Sequence, residues 1–365
     1  MRVFIAMVLS LALGTQTFAT PLQTSAGEIS VTKIVGGLNQ PWAIGFLPEG
    51  RFLVTLRGGA LLNIGASGQI SQVSGIPKVA ARGQGGLLDV MIPRDFAQSR
   101  EVFLSFAKPQ GQEAGTALGV GRLSSDGRRL VGFHLLFEMQ TGTSGKRHFG
   151  GRIVEGRDGA IYMSIGERGD RPSAQDLSRH NGSIIRINRN GTVPRDNPFV
   201  GQGGLRPEIW SYGHRNPQGM ALDQHGRLWA HEHGAQGGDE VNLIRKGANY
   251  GWPVIAYGRH YSGAKIGEGT AKAGMEQPEM FWDPSIAPSG MMIYSGKLWP
   301  AWRGDIFVGS LKFDYIARLD PDHGFDEEKL QTNQMIRVRD VREAPDGSIW
   351  FLSVGKGAVF KMTPQ

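Results

Sequence analysis

One phrase recurs six times along this chain: an apolar stretch, a turn carrying Pro, Asp or Gly, a second apolar stretch, a glycine-rich turn and a third apolar stretch. It begins at Pro41 (PWAIGFLPEGRFLVTLRGGALLNI), Gly86, Gly150 (GGRIVEGRDGAIYMSIGERGD, closed by GSIIRINRNG), Pro217, Pro288 and Arg339. Each copy is three or four strands long and cannot bury both faces alone, so copies must cover one another. Radial stacking predicts an all-β chain, a six-bladed β-propeller, with a sandwich or another all-β fold as the alternative. The 54 glycines among 365 residues, and the lack of a long capped segment with a 3.6-residue apolar period, agree with short strands joined by tight turns.

Innermost strands of a propeller converge on one channel, so candidate functional residues are expected at equivalent places in different copies. The remaining composition restricts what that channel handles. The opening MRVFIAMVLSLALGTQTFAT has an apolar run from Val3 to Leu13 followed by small and polar residues, the pattern of a secretory signal over residues 1–19. That run falls short of the ~20 residues needed to span a bilayer. The expectation is a soluble periplasmic or secreted protein whose residues 20–365 form a single catalytic propeller. Without cysteine, stability must come from one large core and thiol chemistry is excluded. The net charge of +7 is spread along the chain without a basic cluster, which favours an anionic small molecule over nucleic acid.

His148, in KRHFGGRI, precedes the first strand of the third copy, and Glu167, in SIGERGD, follows a strand of the same copy. A hairpin that joins them would set a carboxylate against an imidazole, raising its basicity and fixing its tautomer for general-base work. Alternatively the histidine caps a turn and the glutamate is solvated. GHRNPQG heads the fourth copy, where Arg215 offers a rigid fork and Asn216 and Gln218 offer directed donors and acceptors. Lys312, Arg337 and Arg339 come later, and the period-2 spacing of the two arginines predicts one shared strand face. Four cations facing one channel call for an anion among them. His231 and His233 share that spacing and raise a zinc hydrolase, but a third ligand is missing from the stretch. The turn from Gly234 to Gly238, followed by Asp239 and Glu240, suits calcium better, with a further carbonyl available at Tyr250.

These segments, with GQGGLLDV, FWDPSIAPSG, SLK and RVRDV, occur in an order that resembles the soluble pyrroloquinoline-quinone (PQQ)-dependent aldose (glucose) dehydrogenases through most of the chain after the signal. The resemblance implies oxidation of aldoses at the anomeric carbon to lactones, with hydride passing to PQQ and His148 as base. It further implies cofactor contacts at Gln84, His148, Arg215, Asn216, Lys312, Arg337 and Arg339, with Trp282 over the cofactor and substrate and Asp239 on the substrate side. A cofactor-bound calcium would be held by the carbonyls of Gly234 and Ala235, and a structural calcium by Glu240 and the Tyr250 carbonyl. Glu167 stands where the glucose enzymes have aspartate, Ala235 where they have proline, and Arg147 where they carry an acidic residue. Without their long inserted loops, and with a flexible stretch from Gly258 instead, a monomer with broad aldose use is expected, passing electrons to a small-molecule or protein acceptor. A calcium-dependent lactonase and a non-catalytic ligand-binding propeller are the alternatives.

Overall fold

The computed structural model describes residues 19–140 and 142–365, so the expected export signal lies, but for Ala19, outside the described residues. Six antiparallel sheets follow in chain order and close into a six-bladed β-propeller. Their innermost strands are Pro41–Phe46, Leu87–Met91, Ile153–Glu155, Pro217–Leu222, Pro288–Ile293 and Val338–Glu343, heading blades 1 to 6. Each begins at or within three residues of the start of a repeated phrase. The repeat did not foresee the closure: Gly27–Val35 pairs with the last strand, Ala358–Pro364, and Thr20–Thr24 adds beyond it, so blade 6 holds five strands from both chain ends.

Strand sequences reflect their depth. The second strand of blade 3, Ile161–Ile165 (IYMSI), is buried at every position, because neighbouring blades cover both its faces. The outer strand Leu130–Glu138 of blade 2 is exposed along much of its length. Apolar side chains gather into one cluster per blade interface, such as Phe103, Leu118 and Met163 between blades 2 and 3, or Phe307, Val341 and Phe351 between blades 5 and 6.

Buried hydroxyls stitch the ring together. Thr55 donates to the Leu88 carbonyl at 2.6 Å, Ser164 to that of Pro217 at 3.1 Å and Ser289 to that of Val338 at 2.7 Å, each reaching from one blade to the inner strand of the next. His231, opposite Gly219, occupies in blade 4 the place that Thr55, opposite Ala43, holds in blade 1. A Cβ on Gly219 would lie 2.2 Å from the His231 Nε2, so the ring lies flat over glycine backbone.

Candidate active site

Gln84, His148, Arg215, Asn216, Arg337 and Arg339 lie at or within five residues of the start of an inner strand, and two backbone devices build that mouth. Gln40, Ala287 and Arg337, each immediately ahead of an inner strand, take left-handed φ values of 51°, 52° and 52°. Their carbonyls accept from Arg57 N (3.0 Å), Leu311 N (3.1 Å) and Val354 N (3.1 Å), which holds the conformation despite its cost of roughly 1–2 kcal/mol. Next, a one-residue bulge opens the inner strand, between Pro217 and Gly219 in blade 4 and between Val338 and Asp340 in blade 6. A bulge re-aims the side chain it carries, and Gln218 and Arg339 sit at these two. Arg337 and Arg339 therefore do meet at one cavity, but not by strand alternation as their spacing suggested: Arg337 precedes the strand and Arg339 is the bulge.

That cavity has a volume of 350 Å³ and is lined by Trp42, Arg57, Gln84, Phe149, Asn216, Gln218, His233, Arg337 and Arg339, among others. Trp42 lies between the guanidinium groups of Arg152 and Arg339, at 4.5 and 4.9 Å from its ring. Burial, with Arg152 and then the smaller repulsions of Arg57 and Arg337, pushes the Arg339 guanidinium down to about 9. Arg57 spends donors on Gln40 Oε1 (2.9 Å) and the Gly85 carbonyl (3.2 Å), and Arg337 one on the Leu311 carbonyl (3.1 Å). None of these three guanidinium groups has a carboxylate within 4.0 Å among the described residues, although the Arg337 backbone N donates to Asp314 Oδ1 at 2.7 Å. Below them the channel is closed by a compensated quartet. Arg152 meets Asp89 at 3.0 Å and Asp340 at 3.1 Å, and Arg342 meets the same two carboxylates at 2.8 and 3.0 Å. The floor is neutral and the cavity above it cationic.

Arg57 and the floor quartet escaped the reading of the sequence. The signal lay in aligning the copies: Arg57, His233, Leu311 and Val354 each follow the second strand of their blade, and all four line the cavity.

His148 and Glu167 are brought together as expected. The His148 Nδ1 hydrogen-bonds to Glu167 Oε1, and both side chains are buried. A carboxylate only accepts, so the proton sits on Nδ1 and Nε2 keeps its lone pair. His148 has φ +56°, and Gly166 fits against it because a Cβ there would lie 2.2 Å from the His148 carbonyl oxygen. Burial pushes the His148 imidazole below its ordinary range, Glu167 counteracts, and Arg215 and Arg147 push it lower still. His148 does not itself line the cavity, but Phe149 and Gly150 after it do. Gln84 links the two: its Oε1 accepts from His148 N at 2.6 Å, while its backbone N donates to the Lys146 carbonyl at 2.7 Å.

Arg215 is buried beside this pair, its guanidinium stacked 5.2 Å from the Trp252 ring and donating to the His233 carbonyl at 3.1 Å. It lines a second, small cavity of 10 Å³ together with Glu232, Gly234, Ala235, Glu240 and Tyr250. That is about the room of one water. Glu232, absent from the sequence candidates, accepts from His214 Nδ1 at 2.8 Å. Burial and then the charge of Glu232 push the Glu240 carboxyl up to about 8. The stretch from Gly258 is anchored: Gln236 and Arg259 exchange backbone hydrogen bonds of 3.0 Å, and Ile266 is buried against Trp252 and Ala235.

Three candidates stand apart from the main cavity. Lys312 is exposed, its ammonium 4.8 Å from the Phe313 ring. Trp282 packs between blades 4 and 5 with Trp229, Ile286 and Tyr315, its Nε1 donating to Glu327 at 3.3 Å. Asp239 is fully buried and accepts from Gly234 N (2.8 Å), Ser285 Oγ (2.6 Å) and Ala287 N (3.1 Å), so its carboxylate organises the loop. The zinc alternative loses its basis. His231 is sealed inside the ring, His233 bonds the Pro288 carbonyl at 2.6 Å, and no metal-holding set of three His, Asp or Glu converges among the described residues.

Comparisons with known proteins identify the family and the fold. The glucose/sorbosone dehydrogenase family model matches residues 38–361. The aldose sugar dehydrogenase YliI of Escherichia coli is 41% identical over 356 residues, covering 95% of this chain and 96% of its own. The crystal structure of the soluble aldose sugar dehydrogenase from Escherichia coli in the apo form superposes with a TM-score of 0.88 at 42% identity, over 92% of this chain and all of the other. The PQQ-bound aldose sugar dehydrogenase of Streptomyces coelicolor follows with a TM-score of 0.77 at 26% identity, over 94% of this chain and 99% of its own.

Proposed function

The chain belongs to the glucose/sorbosone dehydrogenase family, and from that membership we propose that it is a quinoprotein oxidising aldose sugars at the anomeric carbon to lactones, with His148 as general base. The observation that carries the reading is a buried His148–Glu167 pair beside a cavity rimmed by arginines without carboxylate partners.

The cavity residues fit PQQ. Its three carboxylates answer the charges of Arg57, Arg337 and Arg339, whose guanidinium groups have no carboxylate within 4.0 Å among the described residues. The small cavity fits calcium, since Glu232 and Glu240 face it with no cation other than the Arg215 guanidinium, and ionised Glu240 is disfavoured until a counter-charge arrives. Bound there, PQQ supplies a two-electron acceptor and calcium the polarising charge. The chain's own residues do the rest. His148 Nε2 takes the proton of the anomeric hydroxyl, Glu167 holds the imidazole in the tautomer that leaves Nε2 free, and Gln84 fixes the histidine backbone. The low proton affinity of His148 keeps it unprotonated at neutral pH, the form a base needs.

The reading extends to a single exported domain, periplasmic or secreted and monomeric, that hands electrons to a small-molecule or protein acceptor. Its support is the apolar run at the start of the sequence and the continuous ring of six blades. The test is to add PQQ and calcium to the apoprotein and follow dye reduction with aldoses. Sugar-dependent reduction requiring both additions is expected. Hydrolysis of a lactone without PQQ would instead identify the lactonase.

A further inference from the structure

Arg168, the residue after Glu167, is almost fully buried, yet no carboxylate lies within 4.0 Å of its guanidinium among the described residues. Burying a charge in this way costs several kcal/mol unless fixed dipoles compensate. Besides the charge of the neighbouring Glu167, the compensation comes from carbonyls and a ring. The guanidinium donates to the carbonyls of Arg147, Gly145 (2.7 Å) and Ala114 (3.3 Å), and its carbon lies 3.3 Å from the centroid of the Phe149 ring. Arg147 and Phe149 are the neighbours of His148 on either side. Burial pushes the Arg168 guanidinium down to about 10, so it stays charged at neutral pH.

The backbone reinforces the grip. Arg168 takes φ +63°, and a Cβ on Gly145 would lie 2.5 Å from the Arg168 carbonyl oxygen, so loop and hairpin meet at backbone distance. Thr143 Oγ1 donates to that same carbonyl at 3.3 Å. Two consecutive residues thus hold one histidine by different means, Glu167 by its ring and Arg168 by the peptide units around it.

We infer that Arg168 is a positioning residue for the sugar oxidation, fixing His148 through the backbone on both sides while touching neither sugar nor cofactor. The inference rests on the reading of His148 as the base. A misplacement of about 1 Å in a catalytic group costs roughly 10²-fold in rate.

A double-mutant cycle tests it. Arg168→Met is made in the parent and in His148→Ala, with Arg168→Lys as the conservative variant and as the substitute if methionine prevents folding. PQQ affinity is measured by titration into each apoprotein, and kcat and KM after loading. Arg168→Met is expected to lower kcat roughly 10- to 100-fold with KM and PQQ affinity within about twofold of the parent. Lysine should recover little, because one ammonium cannot span three carbonyls and a ring. In the His148→Ala background the same substitution should leave the residual rate unchanged. Equal losses in both backgrounds, or a loss carried entirely by PQQ affinity, overturn the inference. Parental turnover by His148→Ala alone overturns the general-base reading, and is told apart because it appears with Arg168 intact.

Discussion

Replacing Arg339 by glutamine separates a ligand-binding arginine from a structural one, because the two roles predict opposite signs in the apoprotein. Arg339 is half-buried, its guanidinium has no carboxylate within 4.0 Å among the described residues, and it is pushed down to about 9 by desolvation and by the charges of Arg152, Arg57 and Arg337 against the attraction of Asp340. Its favourable contact with protein is the Trp42 ring at 4.9 Å, worth about 0.5–2 kcal/mol. Removing the charge relieves its burial and three repulsions, that of Arg152 the largest, and forfeits the attraction of Asp340 and that one stacking contact, so the melting temperature of the empty protein should hold or rise. Loaded protein should behave oppositely. A hydrogen bond to a charged group contributes about 1.5–3 kcal/mol, so Arg339→Gln should weaken PQQ binding roughly 10- to 150-fold. Both quantities come from one set of samples: cofactor titration monitored by tryptophan fluorescence, and thermal melts without cofactor. Parental PQQ affinity together with a lower apo melting temperature would refute the reasoning and make Arg339 a structural residue.

Glu167→Gln removes the charge that opposes the depression of the His148 proton affinity, so the acid limb of kcat/KM should move to lower pH while kcat falls about 10²-fold; an acid limb moved upward contradicts the pairing. Chelation should lower the melting temperature of Glu240→Gln less than that of the parent, since one calcium site is already damaged, and equal shifts in calorimetry speak against a metal at Glu240. The resemblance assigns Arg215 to the cofactor, and if it holds, Arg215→Lys should weaken PQQ binding roughly 10- to 150-fold with little change in the apo melt; the reverse pattern would make it a pin for the blade turn through the His233 carbonyl.

The blade count was legible because each copy repeats the same alternation of apolar runs and turns, and six such units have one efficient closure. The velcro strand Gly27–Val35 was not, since it belongs to no copy and acquires its partner only from the far end of the chain. His148 and Glu167 could be paired from the sequence because a single hairpin separates them. The cation set was legible in kind but not in membership. Arg57 lines the cavity and Lys312 does not, because Arg57 directly follows the second strand of its blade, a place that emerges when the copies are aligned by hydrogen bonds. Trp282 and Asp239 show the converse limit. Their residue types suit a ligand site, and the structure packs Trp282 between blades 4 and 5 and bonds Asp239 to the amides of Gly234 and Ala287, neighbours no spacing announces. The spacing of Arg337 and Arg339 read as a strand, whereas a left-handed residue and a bulge do that work.

The central claim is that His148 withdraws the anomeric proton as the sugar is oxidised in the cavity beside it. It is tested most directly by mixing PQQ- and calcium-loaded protein with an aldose in the absence of any electron acceptor, and following cofactor reduction and lactone in a single turnover. The account predicts one lactone per cofactor in the parent, and reduction slowed by about 10²- to 10⁴-fold in His148→Gln with the cofactor still bound. Reduction at the parental rate in His148→Gln, or loaded parent protein that yields no lactone, would contradict it.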